Sequence, residues 1–220
     1  MFSINLFVED RAHALFLEAL LYRLADQYVI PVEIRLGSAR GGHGRVISKL
    51  KGYINDLQND EASLPDLLII ATDGNCKGFS ERKHEIDNAL RGFSGQFICA
   101  IPDPHIERWL LLDSAAFKKI LGKGCSAPVQ KCERDLYKRL LQEAVQQTGV
   151  KTLLDGIEYT EALVHEMNLE YLERTEVSLG KLLKELRQQF QDWQRLSQAG
   201  PKQLRESEAV YILPIGIPQS

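Results

Sequence analysis

The sequence predicts an α/β fold in which a mostly parallel sheet lies between two layers of helices, followed by a helical C-terminal extension. In the first half, four short apolar segments alternate with segments of helical periodicity. Helices of this length between buried strands imply parallel, right-handed crossovers and a Rossmann-like three-layer sandwich. From Ile106 onward only helical periodicity is found. We therefore expect an α/β core over residues 1–113 and a helical extension over residues 114–220, packed on that core and ending in an extended tail.

Four segments have the patterns of strands. Alternation of apolar with other residues is typical of a half-buried strand, whereas a short continuous apolar run indicates a strand buried on both faces. The second segment alternates with charged residues and is expected near the sheet edge, and the third is expected at the centre. The predicted strands are Ile4–Val8, Val32–Leu36, Leu67–Ile70 and Gln96–Ile101.

Apolar residues at helical spacing predict the helices that separate and follow these strands. The first three are Arg11–Gln27, Arg45–Leu57 and Phe79–Leu90. Pro201 ends the helical pattern, so Ala209–Ile217 is expected to be extended, as an edge strand or a partner-binding segment. The later predicted helices are Glu107–Leu112, Ala115–Leu121, Val129–Thr148, Thr160–Arg174 and Ser178–Ser197.

Composition limits the class of protein only loosely. Hydrophobic residues make up 44% and charged residues 26% of the chain, which is ordinary for a globular protein with a buried core. The formal net charge of −3 does not indicate a nucleic-acid binder, and it excludes none because a basic stripe can lie on an acidic chain.

The cysteines and the hydropathy pattern predict a cytoplasmic protein. The four cysteines contain no C-x-x-C pair, so we expect reduced thiols with neither a disulfide framework nor a zinc site. The N-terminus lacks the pattern of a signal peptide. No apolar run reaches the roughly 18 residues of a membrane span, so no membrane association is expected.

Two carboxylates follow predicted strands at the edge where α/β sheets bind ligands. Glu9 follows the first strand and Asp73 the third, with Asn75 two residues later. If these strands are neighbours, the two carboxylates with the Asn75 oxygen suit Mg²⁺, which keeps several waters and needs only one or two protein carboxylates. The alternative for Asp73 is a structural Asx-turn with Gly74.

A third acidic residue follows the fourth strand. Glu107 lies on the first turns of a helix that begins after Pro104, where it is either a further metal ligand or base, or a residue favoured by the helix dipole. His105 precedes it by two residues, a position more typical of a cap or surface histidine than of a catalytic one.

The loop GSARGGHGR, residues 37–45, carries the strongest local charge signal. Arg40, Arg45 and Lys49 lie in a stretch without acidic residues, and glycines precede the helix. Backbone amides at a glycine-rich helix start, supported by guanidinium groups, can bind phosphate. The loop matches neither a P-loop nor a dinucleotide fingerprint, and the alternative is a flexible loop before a solvated helix face.

Several motif families do not fit. A two-component receiver needs a hydroxyl residue where Ala100 stands, and a haloacid-dehalogenase phosphatase needs an aspartate where Ala71 stands. The G-x-S-x-G motif of nucleophilic hydrolases is also missing.

The chain resembles the Toprim family over roughly Ile4–Asp113. LFVED at the end of strand one is similar to the Toprim glutamate motif, and LIIATDGN at the end of strand three is similar to the D-x-D motif. RGGHGRVISKL and IPDPHIERWLLLD resemble small stand-alone Toprim proteins related to the overcoming-lysogenisation-defect nucleases.

The resemblance implies a nuclease that uses Mg²⁺ or Mn²⁺. Glu9 and Asp73 with Asn75 would be the metal ligands, Glu107 an added ligand or base, and Arg40, Arg45 and Lys49 the contacts to a DNA or RNA backbone. It also implies a role in bacterial defence against phages, as the effector beside an ATPase sensor subunit. A homodimer is a further expectation.

Two departures from the Toprim pattern leave alternatives open. Asp10 stands where glycine usually follows the glutamate, and Asn75 replaces the second aspartate of D-x-D. Losing one anionic ligand weakens metal affinity, although Asp10 can compensate. The alternatives are a catalytically degenerate Toprim-fold subunit that docks on an ATPase through Ser178–Ser197, and a nucleotide-handling enzyme with the same acidic edge.

Overall fold

The computed structural model describes residues 1–38, 43–59, 64–128, 132–133 and 135–198. Within these ranges the strands form a parallel four-stranded sheet with the order β2-β1-β3-β4. This confirms the predicted fold class, with β2 at an edge and β3 inside the sheet. The strands are β1 (Phe2–Val8), β2 (Val32–Ser38), β3 (Leu67–Ala71) and β4 (Phe97–Ala100).

Helices connect the strands and make up the second half of the described chain. No described helix combines the length and the apolar character required to cross a membrane. A short 3-10 turn, Ile157–Tyr159, precedes α7. The helices are α1 (Arg11–Tyr28), α2 (His43–Asn59), α3 (Gly78–Ala89), α4 (Ile106–Leu110), α5 (Ser114–Leu121), α6 (Leu136–Gln146), α7 (Thr160–Glu166), α8 (Leu169–Thr175) and α9 (Val177–Gln198).

The strand side chains alternate between two separate cores. Leu6 and Ile69 face a core shared with α1 and the helices that follow β4. Phe7 and Ile70 face a second core formed with α2 and α3. The sheet is therefore the middle of three layers, as the period of two along each strand requires.

The C-terminal helices pack on the same face of the sheet as α1. The Phe2 and Trp193 rings stack with centroids 4.5 Å apart, and Gln194 Nε2 donates to the Tyr28 carbonyl at 2.9 Å. The buried Trp109 of α4 donates from Nε1 to Ser178 Oγ of α9 at 3.0 Å. These contacts join the helices after residue 113 to the core that also contains β1 and α1.

Two predicted helices differ from the observed ones. The predicted helix Thr160–Arg174 is interrupted at Asn168, whose side chain caps α8 by accepting from Tyr171 N and whose own N–H donates to Asp113 Oδ2. The predicted helix Val129–Thr148 is confined to α6 in the described part of the chain. The predicted tail Ala209–Ile217 lies outside the described residues.

A disulfide joins Cys76 to Cys132, with the two Cα atoms 5.2 Å apart, so the prediction of reduced thiols alone was wrong. The two residues are separated by 56 positions, and only the tertiary fold brings the loop after β3 to the segment before α6. Cys99 and Cys125 are free.

We expect two titratable thiols when the chain is denatured without reductant, and four after reduction. Ellman titration of protein purified in air measures this directly. The Cys132→Ser variant should show three thiols without reductant, because Cys76 then has no partner. Four thiols in the unreduced native chain would contradict the bridge.

Candidate active site

The carboxyl ends of β1, β3 and β4 meet at one edge of the sheet and form one side of a polar cavity of about 400 Å³. The loop after β3 is tied to the loop after β4, because Gly74 N donates to the Pro102 carbonyl and Asn75 N to the Pro104 carbonyl. A Cβ at Gly74 would lie 3.0 Å from the Pro102 oxygen, so only glycine fits without a shift. Residues lining the cavity include Asp10, Asp73, Asn75, His105, Glu107 and Lys138.

Asp73 is the most highly bonded residue of the site. Its Oδ1 accepts the Ile106 N–H at 2.9 Å, and its Oδ2 lies 3.0 Å from His105 Nδ1. Its backbone carbonyl accepts from Arg82 Nε at 3.0 Å. These contacts reach residues far along the chain. Asp73 therefore does more than form the local Asx-turn with Gly74 that the sequence left open.

His13 connects the ends of β1 and β3. It is buried on α1, with Nδ1 2.8 Å from Asp10 Oδ1 and Nε2 3.2 Å from Asp73 Oδ1. The second contact brings the two groups together without the alignment of a hydrogen bond. Asp10, His13, Asp73 and His105 thus form a continuous series of alternating carboxylates and imidazoles.

The two buried members of this series shift each other's pKa. Burial lowers the pKa of His13, but the charge of Asp73 and the hydrogen bond with Asp10 outweigh burial and raise it to about 10. Burial raises the pKa of Asp73, but the charge of His13 and the hydrogen bond of His105 lower it to about 2. Near neutral pH, His13 is therefore an imidazolium beside the Asp73 carboxylate.

Glu9 is brought against Asp73, as the sequence predicted from the strand ends. Glu9 Oε2 accepts the Thr72 hydroxyl at 2.6 Å and the Asp73 N–H at 3.2 Å. Asp10 is the N-cap of α1, because its Oδ1 accepts the His13 N–H at 3.1 Å. This is a structural role and not that of an additional metal ligand.

Glu107 and His105 lie beside this pair of carboxylates. Burial raises the pKa of Glu107, and the charge of Asp73 raises it further, so Glu107 keeps its proton to higher pH than an exposed glutamate. The hydrogen bond with Asp73 raises the pKa of His105. His105 occupies the N-cap position of α4, but its side chain makes no cap and turns to Asp73 instead.

Asn75 has a conformational role that accounts for asparagine at this position. Its φ of 47° lies in the left-handed region, which asparagine tolerates better than most residues. Its Nδ2 donates to the Asp73 carbonyl at 3.4 Å, a long hydrogen bond. The side chain lines the cavity, so its Oδ1 remains a possible oxygen ligand.

The predicted phosphate loop is only partly described. Arg40 lies outside the described residues. Arg45 belongs to α2, but its side chain is not among the described parts of the structure. Lys49 is exposed on α2, and it is not among the described residues that line the cavity. Phosphate binding by these three residues stays a prediction.

Several residues of the site were not predicted from the sequence. They include His13 of α1, and Tyr137 and Lys138 of α6. The spacing Asp10-x-x-His13 at a helix start was a usable signal, since an N-cap carboxylate reaches the third residue. Tyr137 and Lys138 belong to α6 and gave no local signal, because only the packing of the extension brings them to the cavity.

The residues fit a hard divalent cation in type, although they do not form a complete cage. No set of three or more His, Cys, Asp or Glu side chains within the described ranges has the arrangement of a metal site. Asp73, Asn75 and Glu107 line the cavity, whereas Glu9 is not among its described lining residues and meets Asp73 through the Asp73 N–H. Mg²⁺ with its waters needs only one or two protein carboxylates. Comparison of the chain with protein-family models, curated proteins and solved structures found no match in any of the three.

We expect replacement of His13 by glutamine to destabilise the protein by about 3–5 kcal/mol near pH 6, because it leaves the buried Asp73 carboxylate without its cation. His13 has a raised pKa in the folded state, so its contribution is full below its ordinary pKa of 6.5 and is lost as the pH rises to about 10. Denaturant unfolding at pH 6 and at pH 10 measures the difference.

The exposed His165 on α7 provides the matched control, and the His165→Gln variant should unfold like the unmodified chain at both pH values. A His13→Gln penalty that is equally large at pH 6 and pH 10 would mean that His13 contributes by packing and not as a cation.

Proposed function

We propose that the protein is a metal-dependent nuclease that hydrolyses phosphodiester bonds in DNA or RNA. The observation that carries this proposal is the contact between Glu9 Oε2 and the Asp73 N–H at the shared edge of β1 and β3. The half-buried Glu107 lies close enough to Asp73 for the charge of Asp73 to raise its pKa. Acidic oxygens grouped at the carboxyl edge of a parallel sheet are suited to a cation and a phosphate together.

Each residue has a distinct role in this proposal. Glu9, Asp73 and the Asn75 oxygen would hold Mg²⁺ or Mn²⁺, which when bound activates water and stabilises charge on the phosphate oxygens. Glu107, with its raised pKa, exchanges a proton with the attacking water or the leaving oxygen. Lys138, on the far wall of the cavity, binds the phosphate.

The Toprim resemblance supports the same chemistry and suggests its setting. We propose that the protein acts in the cytoplasm, as a homodimer, as the effector of an anti-phage defence system together with an ATPase sensor. The Cys76–Cys132 bridge is an unusual feature for that compartment, where lasting disulfides are rare.

A degenerate binding subunit is the second candidate, and one observation favours it. Both oxygens of Asp73 already have protein partners, namely Ile106 N on Oδ1 and His105 Nδ1 on Oδ2. In that case the His13–Asp73 pair would only hold the strand ends together. The partner would be an ATPase. The apolar face of Ser178–Ser197, predicted as the docking surface, is buried within the chain in α9, so docking would use exposed residues of the helical half.

We expect Mg²⁺-dependent cleavage of DNA or of structured RNA such as tRNA. Glu9→Gln and Asp73→Asn should abolish cleavage because they remove metal-binding charge, and Glu107→Gln should slow it by about 10²–10⁴-fold. Gel assays with and without Mg²⁺ measure this. Glu161→Gln, an exposed substitution on α7, is the matched control and should cleave normally.

Isothermal titration with Mg²⁺ separates the two candidates. A nuclease should bind Mg²⁺ in the millimolar range or tighter, and Asn75→Asp should tighten binding by adding a charged oxygen. Cleavage that is equal in Glu9→Gln, Asp73→Asn and the unmodified chain would end the nuclease proposal, and absence of Mg²⁺ binding would favour the binding subunit.

A further inference from the structure

A second cavity, of about 340 Å³, adjoins the polar one and differs from it in chemistry. The two cavities share three lining residues, Asp10, Glu107 and Lys138. Beyond these, the second cavity is lined by Arg11, Asp155 and aliphatic side chains from α1, from α6, from the loop before the 3-10 turn and from that turn itself. The larger aliphatic residues are Leu141, Leu153, Leu154 and Ile157.

The loop that carries two of these leucines is held in place by one carboxylate. Glu158 Oε1 accepts the N–H groups of Leu153 at 2.6 Å and Leu154 at 3.3 Å, and Oε2 accepts that of Gly156 at 2.9 Å. Thr152 Oγ1 also accepts from Gly156 N at 2.9 Å. The loop is therefore pre-organised before any ligand arrives.

This organised loop presents an apolar side chain to solvent at the cavity. Leu153 is 91% exposed although it lines the cavity, whereas Leu141 at the base is fully buried. Ordering a loop so that it holds a leucine in water gains nothing from burial within the chain. Leu153 and the neighbouring Leu154, which is 37% exposed, form a contiguous apolar surface at the cavity that is available to a ligand.

Lys138 marks the boundary between the two compartments. It lines both cavities, and its Nζ lies 3.6 Å from Asp155 Oδ2, which orients the ammonium group at the junction. Asp10, Glu107 and Lys138 therefore lie where the two cavities meet, with the polar cavity on one side and the apolar wall on the other. A nucleotide has a matching arrangement, with a charged phosphate at one end and the flat face of a base at the other.

We propose that the second cavity is a nucleobase subsite, with the base covering Leu153 and Leu154 and its phosphate at Lys138. This inference rests on the proposed nuclease function and names its substrate class. A base in a closed duplex cannot enter such a cavity without leaving the stack, so the substrate is single-stranded or a frayed end. Aliphatic side chains cannot hydrogen-bond to the edge of a base, so this wall should give little preference for one base over another.

Binding of small probes to the full chain tests the subsite without any cleavage. Isothermal titration in Mg²⁺ should give adenosine 5′-monophosphate an affinity about tenfold higher than ribose 5-phosphate, the lower part of the range for one stacked base. Leu153→Ser should reduce that advantage to about twofold or less. Leu196→Ser, at an exposed leucine on α9, should leave it unchanged.

Equal affinities for the two probes, or a base advantage that survives in Leu153→Ser, would overturn the subsite. Titration with adenosine in the absence of metal keeps this result separate from the nuclease proposal. Adenosine binding that is lost in Leu153→Ser and retained in Glu9→Gln would support the subsite even if no nucleic acid is cleaved.

Discussion

The buried ion pair of Asp73 with His13 is the interaction on which the site depends. Without a nearby cation, burial would raise the pKa of the Asp73 carboxylate and favour its uncharged form. His13 supplies that cation from the neighbouring helix, and Asp10 holds the imidazolium from the other side. Such pairs add little net stability, but removing one partner is costly, so the arrangement maintains a charged carboxylate at the sheet edge.

That ion pair also explains why three separate loops meet at one place. Asp73 follows β3. Glu9 and His13 follow β1 and His105 follows β4, yet all three contact Asp73. The parallel order of the neighbouring strands β1, β3 and β4 brings their ends together, and the hydrogen bonds then fix the side chains. The extension completes the cavity with Lys138 and adds an apolar wall that the α/β core lacks.

The sequence predicted the parts of this site that local pattern controls. Glu9, Asp73, Glu107 and His105 were identified because they follow apolar strands, and strand ends in a parallel sheet share one edge. His13 and Lys138 were missed because one lies in an apolar helical stripe and the other on a helix that only tertiary packing places. The disulfide was missed for the same reason, since Cys76 and Cys132 show no local motif.

Anomalous diffraction from crystals grown with Mn²⁺ tests directly whether the Glu9–Asp73 edge holds a divalent cation, as we propose. The expected result is an anomalous peak within bonding distance of carboxylate oxygens from both Glu9 and Asp73, at the roughly 2–2.6 Å typical of oxygen ligands to such ions. It would be contradicted by crystals whose Mn²⁺ peaks all lie elsewhere, with Asp73 still bonded only to His13, His105 and Ile106.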